Sequence, residues 1–194
     1  MAKIYKESID RFFDYDLHLE TRTIYIGDGE DGSGVGPKMA EKVVKAFTIF
    51  NMTPDKPVTV LLNTKGGDVF DGYAIYDAIK DSPCHVTIEV IGAAMSMGSI
   101  ILQAADLRVV HPNATIMIHD GKDSMDQVHI RDLEKWAEYY KKIDRPRMYQ
   151  LFADRTGKPF SYWEKKSAND YIMTAQQALD EGFVDKIKGQ EDSE

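Results

Sequence analysis

Cysteine is nearly absent: Cys84 is the single one in 194 residues. An internal disulfide is therefore excluded, and with it the small stapled folds. Nothing near Cys84 in sequence is built to activate a thiol, so it reads as a small residue at a strand start. Long apolar runs are also missing. None reaches the roughly 18–20 residues that cross a bilayer, and Met1-Ala2-Lys3-Ile4-Tyr5-Lys6-Glu7 has no apolar signal core. A cytoplasmic address with no membrane partner is the expectation. Positive charge is scarce too, with 24 Lys and Arg against 32 Asp and Glu and a net charge of −8. Phosphate backbones need clustered Lys and Arg. The basic stretch Lys135, Lys141, Lys142, Arg145 and Arg147 is broken by Glu134, Glu138 and Asp144, as on a solvated helix face. Nucleic acid is thus an unsuitable partner, and no metal site is expected.

What is present is an alternation of strand and helix. Thr23-Ile24-Tyr25-Ile26 reads as a strand ended by Gly27-Asp28-Gly29, and Glu30 to Gly36 as a glycine-rich acidic loop. Pro37 suits a first helical turn, and Met39, Val43, Val44, Phe47 and Phe50 follow at helical spacing until Pro54 and Pro57. Val58 to Leu62 is nearly all apolar, as in a buried parallel strand. Val69 to Lys80 predicts a helix with Ala74, Ile75, Ala78 and Ile79 on one face. Val86 to Ile91 predicts a third strand and Met97 to Ala105 a short apolar helix. Arg108-Val109-Val110 and Thr115-Ile116-Met117-Ile118 are further strands around a Pro112-Asn113 turn. This order predicts an α/β fold with a parallel sheet and right-handed crossovers. Chemistry then belongs at the carboxyl ends of the strands. From Asp126 to Phe152 the pattern is helical, with an aromatic stripe that packs either on its own sheet or on a neighbouring subunit. Pro146 predicts a kink or restart near Asp144. The expectation is one domain over residues 1–194, without internal repeat, and a frayed tail over 188–194.

Three segments fall at that strand edge. Ser96 lies in Ala94-Met95-Ser96-Met97-Gly98, on a strand-to-helix turn where a hydroxyl stands clear of its backbone. A serine needs a base, and the base needs an orienting group. His119 ends Ile116-Met117-Ile118-His119. Taken alone it reads as a structural histidine; beside Ser96 it reads as the base. His18, His85, His111 and His129 have weaker cases, since two flank strand starts or turns and two lie in polar segments. For the acid, Asp170, Asp120, Asp123 and Asp185 compete, and pattern does not choose among them. An oxyanion needs two donors. Met97 N–H follows the nucleophile, and Gly66-Gly67 lets a backbone amide, that of Gly67, approach a ligand. Val69, Phe70 and Met97 are candidates for an apolar substrate pocket or for ordinary core.

From about Arg22 to Ile187 these motifs resemble, in order and interval, the proteolytic subunit of the Clp protease family. Asn63-Thr64-Lys65-Gly66-Gly67 resembles its Asn-Ser-Pro-Gly-Gly turn, and Gly72, Ile75, Tyr76 and Asp77 resemble the helix that follows. Ala94-Met95-Ser96-Met97-Gly98 is similar to Ala-Ala-Ser-Met-Gly around its nucleophile. Pro112-Asn113 and Met117-Ile118-His119 resemble the segments leading to its base. Thr156-Gly157 and Asp170-Tyr171-Ile172-Met173-Thr174-Ala175 resemble Thr-Gly and Asp-Arg-Phe-Leu-Ser-Ala, and Gln177-Ala178, Gly182 and Val184-Asp185 complete the pattern. The resemblance implies a crotonase-like ββα spiral with a projecting handle over about residues 120–155. It implies Ser96 as nucleophile, His119 as base, Asp170 as acid, and Gly67 and Met97 as oxyanion amides. It also implies a homo-oligomer, a heptameric ring or two stacked rings, that hydrolyses peptide and protein substrates. It further implies that the chain binds no cofactor and that an AAA+ unfoldase partner carries the ATP.

The sequence departs from the family at three places. Asp120-Gly121-Lys122-Asp123 stands where the family has Gln-Pro and a glycine-rich substrate-clamping strand. Lys65 replaces the proline before Gly66. The start of the axial gating hairpin is missing. These departures resemble the Clp-like peptidases of phage and prophage head-assembly modules, so capsid maturation is one alternative. A catalytically silent ring or scaffold is a second, and an acyl-CoA enzyme of crotonase type, which requires a carboxylate base, is a remote third.

Overall fold

A computed structural model describes residues 16–29, 32, 34–121 and 129–190. The expectations placed on Met1 to Glu7, on part of the loop from Glu30, on Lys122, Asp123 and Asp126, and on the tail after Gln190 lie outside those residues. The alternation of elements holds. A two-residue strand β1 (Leu17–His18) precedes β2 (Thr23–Gly27), α1 (Pro37–Phe50), β3 (Val58–Thr64), α2 (Val69–Lys80), β4 (Val86–Met95), α3 (Met97–Leu102), β5 (Leu107–Val110) and β6 (Thr115–Ile118). The chain continues as α4 (Ile130–Tyr139), a π-helical turn (Tyr140–Asp144), α5 (Arg145–Thr156), α6 (Phe160–Ser167), β7 (Tyr171–Thr174), α7 (Ala175–Asp180) and β8 (Lys186–Ile187).

Strands β2, β3, β4, β5 and β8 run side by side and parallel, with β1 antiparallel on the β2 edge. β4 is longer than its apolar run because its two halves have different partners. Thr87–Val90 pairs with β5, and Ala93–Met95 pairs with β6, which in turn pairs antiparallel with β7. The divergence begins where the β3–β4 register shifts between Leu62 and Thr64, and there the Asn63 side chain accepts the Ala93 amide at 3.1 Å. A second small layer, β6 with β7, thereby leaves the main sheet at the carboxyl end of β4.

α1, α2 and α3 cover the sheet with Met39, Val43, Phe47, Phe50, Ile75, Ile79 and the whole of Met97–Leu102. Several expectations need correction. β3 is not buried throughout but in alternation, because its outward residues Thr59, Leu61 and Asn63 are only partly buried. Val44 and Ala74 face outward, and Gly72 takes a place in the buried face of α2. α3 stops at Leu102, since the next three amides turn back to carbonyls three residues earlier and tighten the end. Cys84 is buried under the Arg22 guanidinium, which reaches its sulfur at 3.2 Å.

The long helical segment restarts where Pro146 predicts. Proline has no N–H for the α-helical ladder, and Arg145 N–H donates five residues back to Tyr140 O, opening a π turn just before it. The apolar stripe divides at this point. Met148, Tyr149 and Phe152 are buried, whereas Leu133, Trp136 and Ile143 are each more than a third exposed. Phe152, Trp163 and Phe183 close the core around one another at centroid distances of 5.0–5.7 Å.

Candidate active site

Three strand ends converge where β4 and β6 finish and β7 begins. β4 delivers Ser96 with φ 51° and ψ −121°, a conformation that non-glycine residues avoid. The turn is held on both sides: Ser96 N–H donates to Met117 O at 2.9 Å, and its carbonyl accepts from Ser99 N–H and Ser99 Oγ. The β4–β6 register sets Met95 opposite Met117, so the next residues out, Ser96 and then His119, lie at one edge. His119 Nε2 lies 2.7 Å from Ser96 Oγ. The antiparallel β6–β7 register sets Ile118 opposite Tyr171, which brings His119 alongside Asp170. Nδ1 of His119 is 3.4 Å from Asp170 Oδ1.

The competing acids are occupied elsewhere. Asp185 grips Arg108 through its carboxylate, accepting from Arg108 N at 2.7 Å and Nε at 3.0 Å. Asp120 accepts from the Tyr149 hydroxyl, its amide donates to Ser167 O at 2.7 Å, and its carbonyl accepts from Arg145 Nε at 3.3 Å. Burial, and then the Asp120 carboxylate, push the Tyr149 hydroxyl well above the usual tyrosine range, so it stays a donor. Asp123 lies outside the described residues. Among the other histidines, His18 contacts Thr21, His85 faces Asp106, His111 faces Glu89, and His129 caps α4 in an exposed position.

The Gly66-Gly67 turn is pressed against Ser96. A methyl group on Gly66, at φ 107°, would sit 2.7 Å from Ser96 Cβ. One on Gly67, at φ 154°, would sit 2.1 Å from Val35 O. Val35 pairs with this turn as a parallel bridge, donating to Gly66 O and accepting from Asp68 N–H. Strand alternation then directs the Gly67 amide away from Val35. Met97 N–H opens α3 and has no acceptor within its own helix. Neither amide has a protein acceptor among the described residues. Asp68 caps α2 by accepting from Phe70 N–H and Asp71 N–H at 2.8 and 2.9 Å.

Of the residues considered for a pocket, Met97 is buried, Val69 packs partly on the core, and Phe70 is half-exposed with its ring edge-on to Trp136 at 6.0 Å. A groove of about 690 Å³ between α2 and α5, lined by Tyr73, Tyr76, Leu151 and Arg155 among others, includes none of Ser96, His119 and Asp170. Among the described residues no three His, Cys, Asp or Glu side chains are grouped to hold a metal ion, and no helix is long and apolar enough to cross a membrane. Sequence reading missed Asp28, Thr64 and Tyr149 as supports of this site. The first two follow from extending the β2–β3 register by one residue; nothing local marks Tyr149.

The architecture is the ClpP fold. A point mutant of ClpP1 from Listeria monocytogenes superposes with a TM-score of 0.77 at 27% identity, over 89% of this chain and 94% of that one. The model of the Clp protease family matches residues 8–191, and the chain belongs to that family as a homologue of its proteolytic subunits. It is 35% identical over 173 residues to the ATP-dependent Clp protease proteolytic subunit 1 of Protochlamydia amoebophila, covering 87% of this chain and 81% of that one. It is 30% identical to the corresponding subunit of Deinococcus radiodurans, covering 89% and 84%. With the subunit of Porphyromonas gingivalis it shares 37% identity over 69% of this chain, a span that covers 60% of that relative's length.

Proposed function

We propose that this chain is a serine endopeptidase acting through an acyl-enzyme. The observation that carries the reading is the 2.7 Å contact between His119 Nε2 and a Ser96 hydroxyl mounted on a strained turn. In the reaction Ser96 Oγ attacks the scissile carbonyl while His119 Nε2 takes its proton. Asp170 fixes the tautomer that leaves Nε2 free to accept, and it stabilises the imidazolium once formed. The carbonyl oxygen, now an oxyanion, accepts from Gly67 N–H and Met97 N–H. Collapse expels the amine, which takes the proton from His119. Water activated by the same imidazole then hydrolyses the ester.

The substrates are peptides or unfolded proteins, and the working form is a homo-oligomeric ring, as membership in the family suggests. An ATP-driven unfoldase is the partner that would supply folded substrates, and the address is cytoplasmic. The silent-scaffold reading has no observation in its favour, because hydroxyl, imidazole and carboxylate stand together. The acyl-CoA reading is weakened because the carboxylate against the Gly66-Gly67 turn, Asp28, is already bonded to the turn itself. The test is intact-mass spectrometry after fluorophosphonate treatment. A single adduct that is lost in Ser96→Ala is expected; no adduct on wild type, or one that persists in the variant, overturns the assignment.

A further inference from the structure

The turn that carries Gly67 is anchored by a carboxylate outside the triad. β2 and β3 are parallel, with Gly27 opposite Asn63, so Asp28 emerges beside Thr64. Asp28 Oδ1 accepts from Thr64 Oγ1 at 2.6 Å and from Lys65 N–H at 3.0 Å. The same Thr64 oxygen, with its hydrogen directed at Asp28, accepts from Gly66 N–H at 3.0 Å. Thr64 is fully buried, at 1% exposed. The Asp28 carbonyl meanwhile accepts from Gly34 N–H at 3.0 Å, which returns the chain to Val35, and Val35 clamps Gly66 and Asp68 from the other side. Of the four successive amides from Lys65 to Asp68, three are thus engaged: Lys65 on Asp28, Gly66 on Thr64, and Asp68 on Val35. Of these four, only the Gly67 amide has no protein acceptor among the described residues. The first of these bonds depends on Lys65 having an N–H, which a proline at that position would not supply.

We propose that Asp28 is a positioning residue that aims the Gly67 amide by holding Thr64 and Lys65 from beneath the turn. It touches no reacting atom and acts through the backbone. The inference rests on the serine peptidase reading, because an aimed amide matters only if an oxyanion forms beside Ser96. A preorganised donor strengthens the transition state without improving ground-state binding. Loss of Asp28 should therefore slow the chemical step and spare affinity.

The test uses the full chain and a fluorophosphonate probe, with kinact and KI determined separately for wild type, Asp28→Ala and Asp28→Asn. Asp28→Ala should lower kinact about tenfold or more, up to the roughly 10²–10³ of a lost oxyanion donor, and leave KI near the wild-type value. Asn keeps an acceptor oxygen in place, so Asp28→Asn should stay within about threefold of wild type. The inference is overturned by a wild-type kinact in Asp28→Ala, by a loss confined to KI, or by an Asn variant as slow as the Ala one. If Asp28→Ala does not fold, Thr64→Val and Thr64→Ser serve instead. Valine keeps the shape without the hydroxyl and should be slow, serine should restore the rate, and a fast valine variant overturns the inference. No labelling of wild type overturns the peptidase reading together with this one. A labelled wild type with an equally reactive Asp28→Ala overturns only this one.

Discussion

The two halves of the candidate site are built differently. Ser96 and the Gly66-Gly67 turn come from adjacent parallel strands in the middle of the sheet, and they are locked by backbone bonds from Val35, Met117 and Ser99. Asp170 comes from the outermost strand of the small second layer. Its side chain is 42% exposed and lies 3.4 Å from His119, against 2.7 Å between His119 and Ser96. The central half needs positions good to fractions of an ångström, because the hydroxyl and the amides meet the reacting carbonyl. The outer half needs only to orient a ring and oppose its charge, which tolerates a longer and wetter contact. Rigidity is concentrated where the chemistry has least latitude.

The more exposed acid should nonetheless have the larger effect when changed. If Asp170 selects the tautomer of His119, Asp170→Asn should lower the acylation rate by about 10⁴, as when an amide replaces the acid of such a triad. The thermal midpoint should hardly move, since the side chain is nearly half in water. Burst kinetics with an activated ester measure the rate, and scanning calorimetry measures the midpoint. A loss below tenfold would mean that the 3.4 Å contact is idle, and the comparison would reduce to one functional half.

The next effect in size falls on the tightly built half. Gly67→Ala puts a methyl group 2.1 Å from a backbone oxygen, in a φ region that side chains rarely adopt. The turn must shift, and with it the amide. The expected cost is roughly 10²–10³ in the acylation rate, the value of one oxyanion donor. Circular dichroism should report a retained fold. An unchanged rate would remove the Gly67 amide from the mechanism.

How far the sequence foretold this arrangement differs between the halves. Ser96, His119 and Gly66-Gly67 each follow an apolar run, so strand ends could be read and one sheet edge inferred. Asp170 could not be chosen from Asp120, Asp123 and Asp185 by pattern, because its placement depends on β7 pairing antiparallel with β6, between residues more than 50 apart in the chain with no local signal. Only the resemblance to a family selected it. The same blindness hid the branching of β4. An apolar run from Val86 to Ile91 gives no sign that Ala93–Met95 leaves one neighbour for another. Asp28 and Thr64 are ordinary polar residues after strands, and become legible as supports only once the parallel register is known.

The smallest expected effect is one of acid stability, and it falls first on the outer half. That half is tied down by the Glu181 carboxylate, which must be ionised. Glu181, at the end of α7, accepts from the hydroxyls of Tyr162 and Tyr171 at 2.7 and 2.9 Å and pairs with Lys158. Burial pushes its carboxyl up, but these three hydrogen bonds and the lysine charge outweigh it and hold the group below the ordinary 4.5. Asp185, which grips Arg108 on β5 of the main sheet, behaves alike: burial raises it, and the Arg108 bonds bring it below the ordinary 3.8. A carboxyl depressed in the folded state contributes stability that is present above its unfolded value and lost as pH falls through its folded value. The contribution of Glu181 should therefore fade as pH drops below 4.5 and that of Asp185 below 3.8. Urea midpoints measured downward from neutral pH should fall across this window. Glu181→Gln should start lower at neutral pH and fall less steeply. Hydrogen exchange at the acid end should expose Tyr171–Thr174 before the β3–β4 ladder in the middle of the main sheet. Parallel pH slopes for wild type and Glu181→Gln, or simultaneous exposure of β7 and β4, would show that Glu181 does not govern the acid release of the outer half.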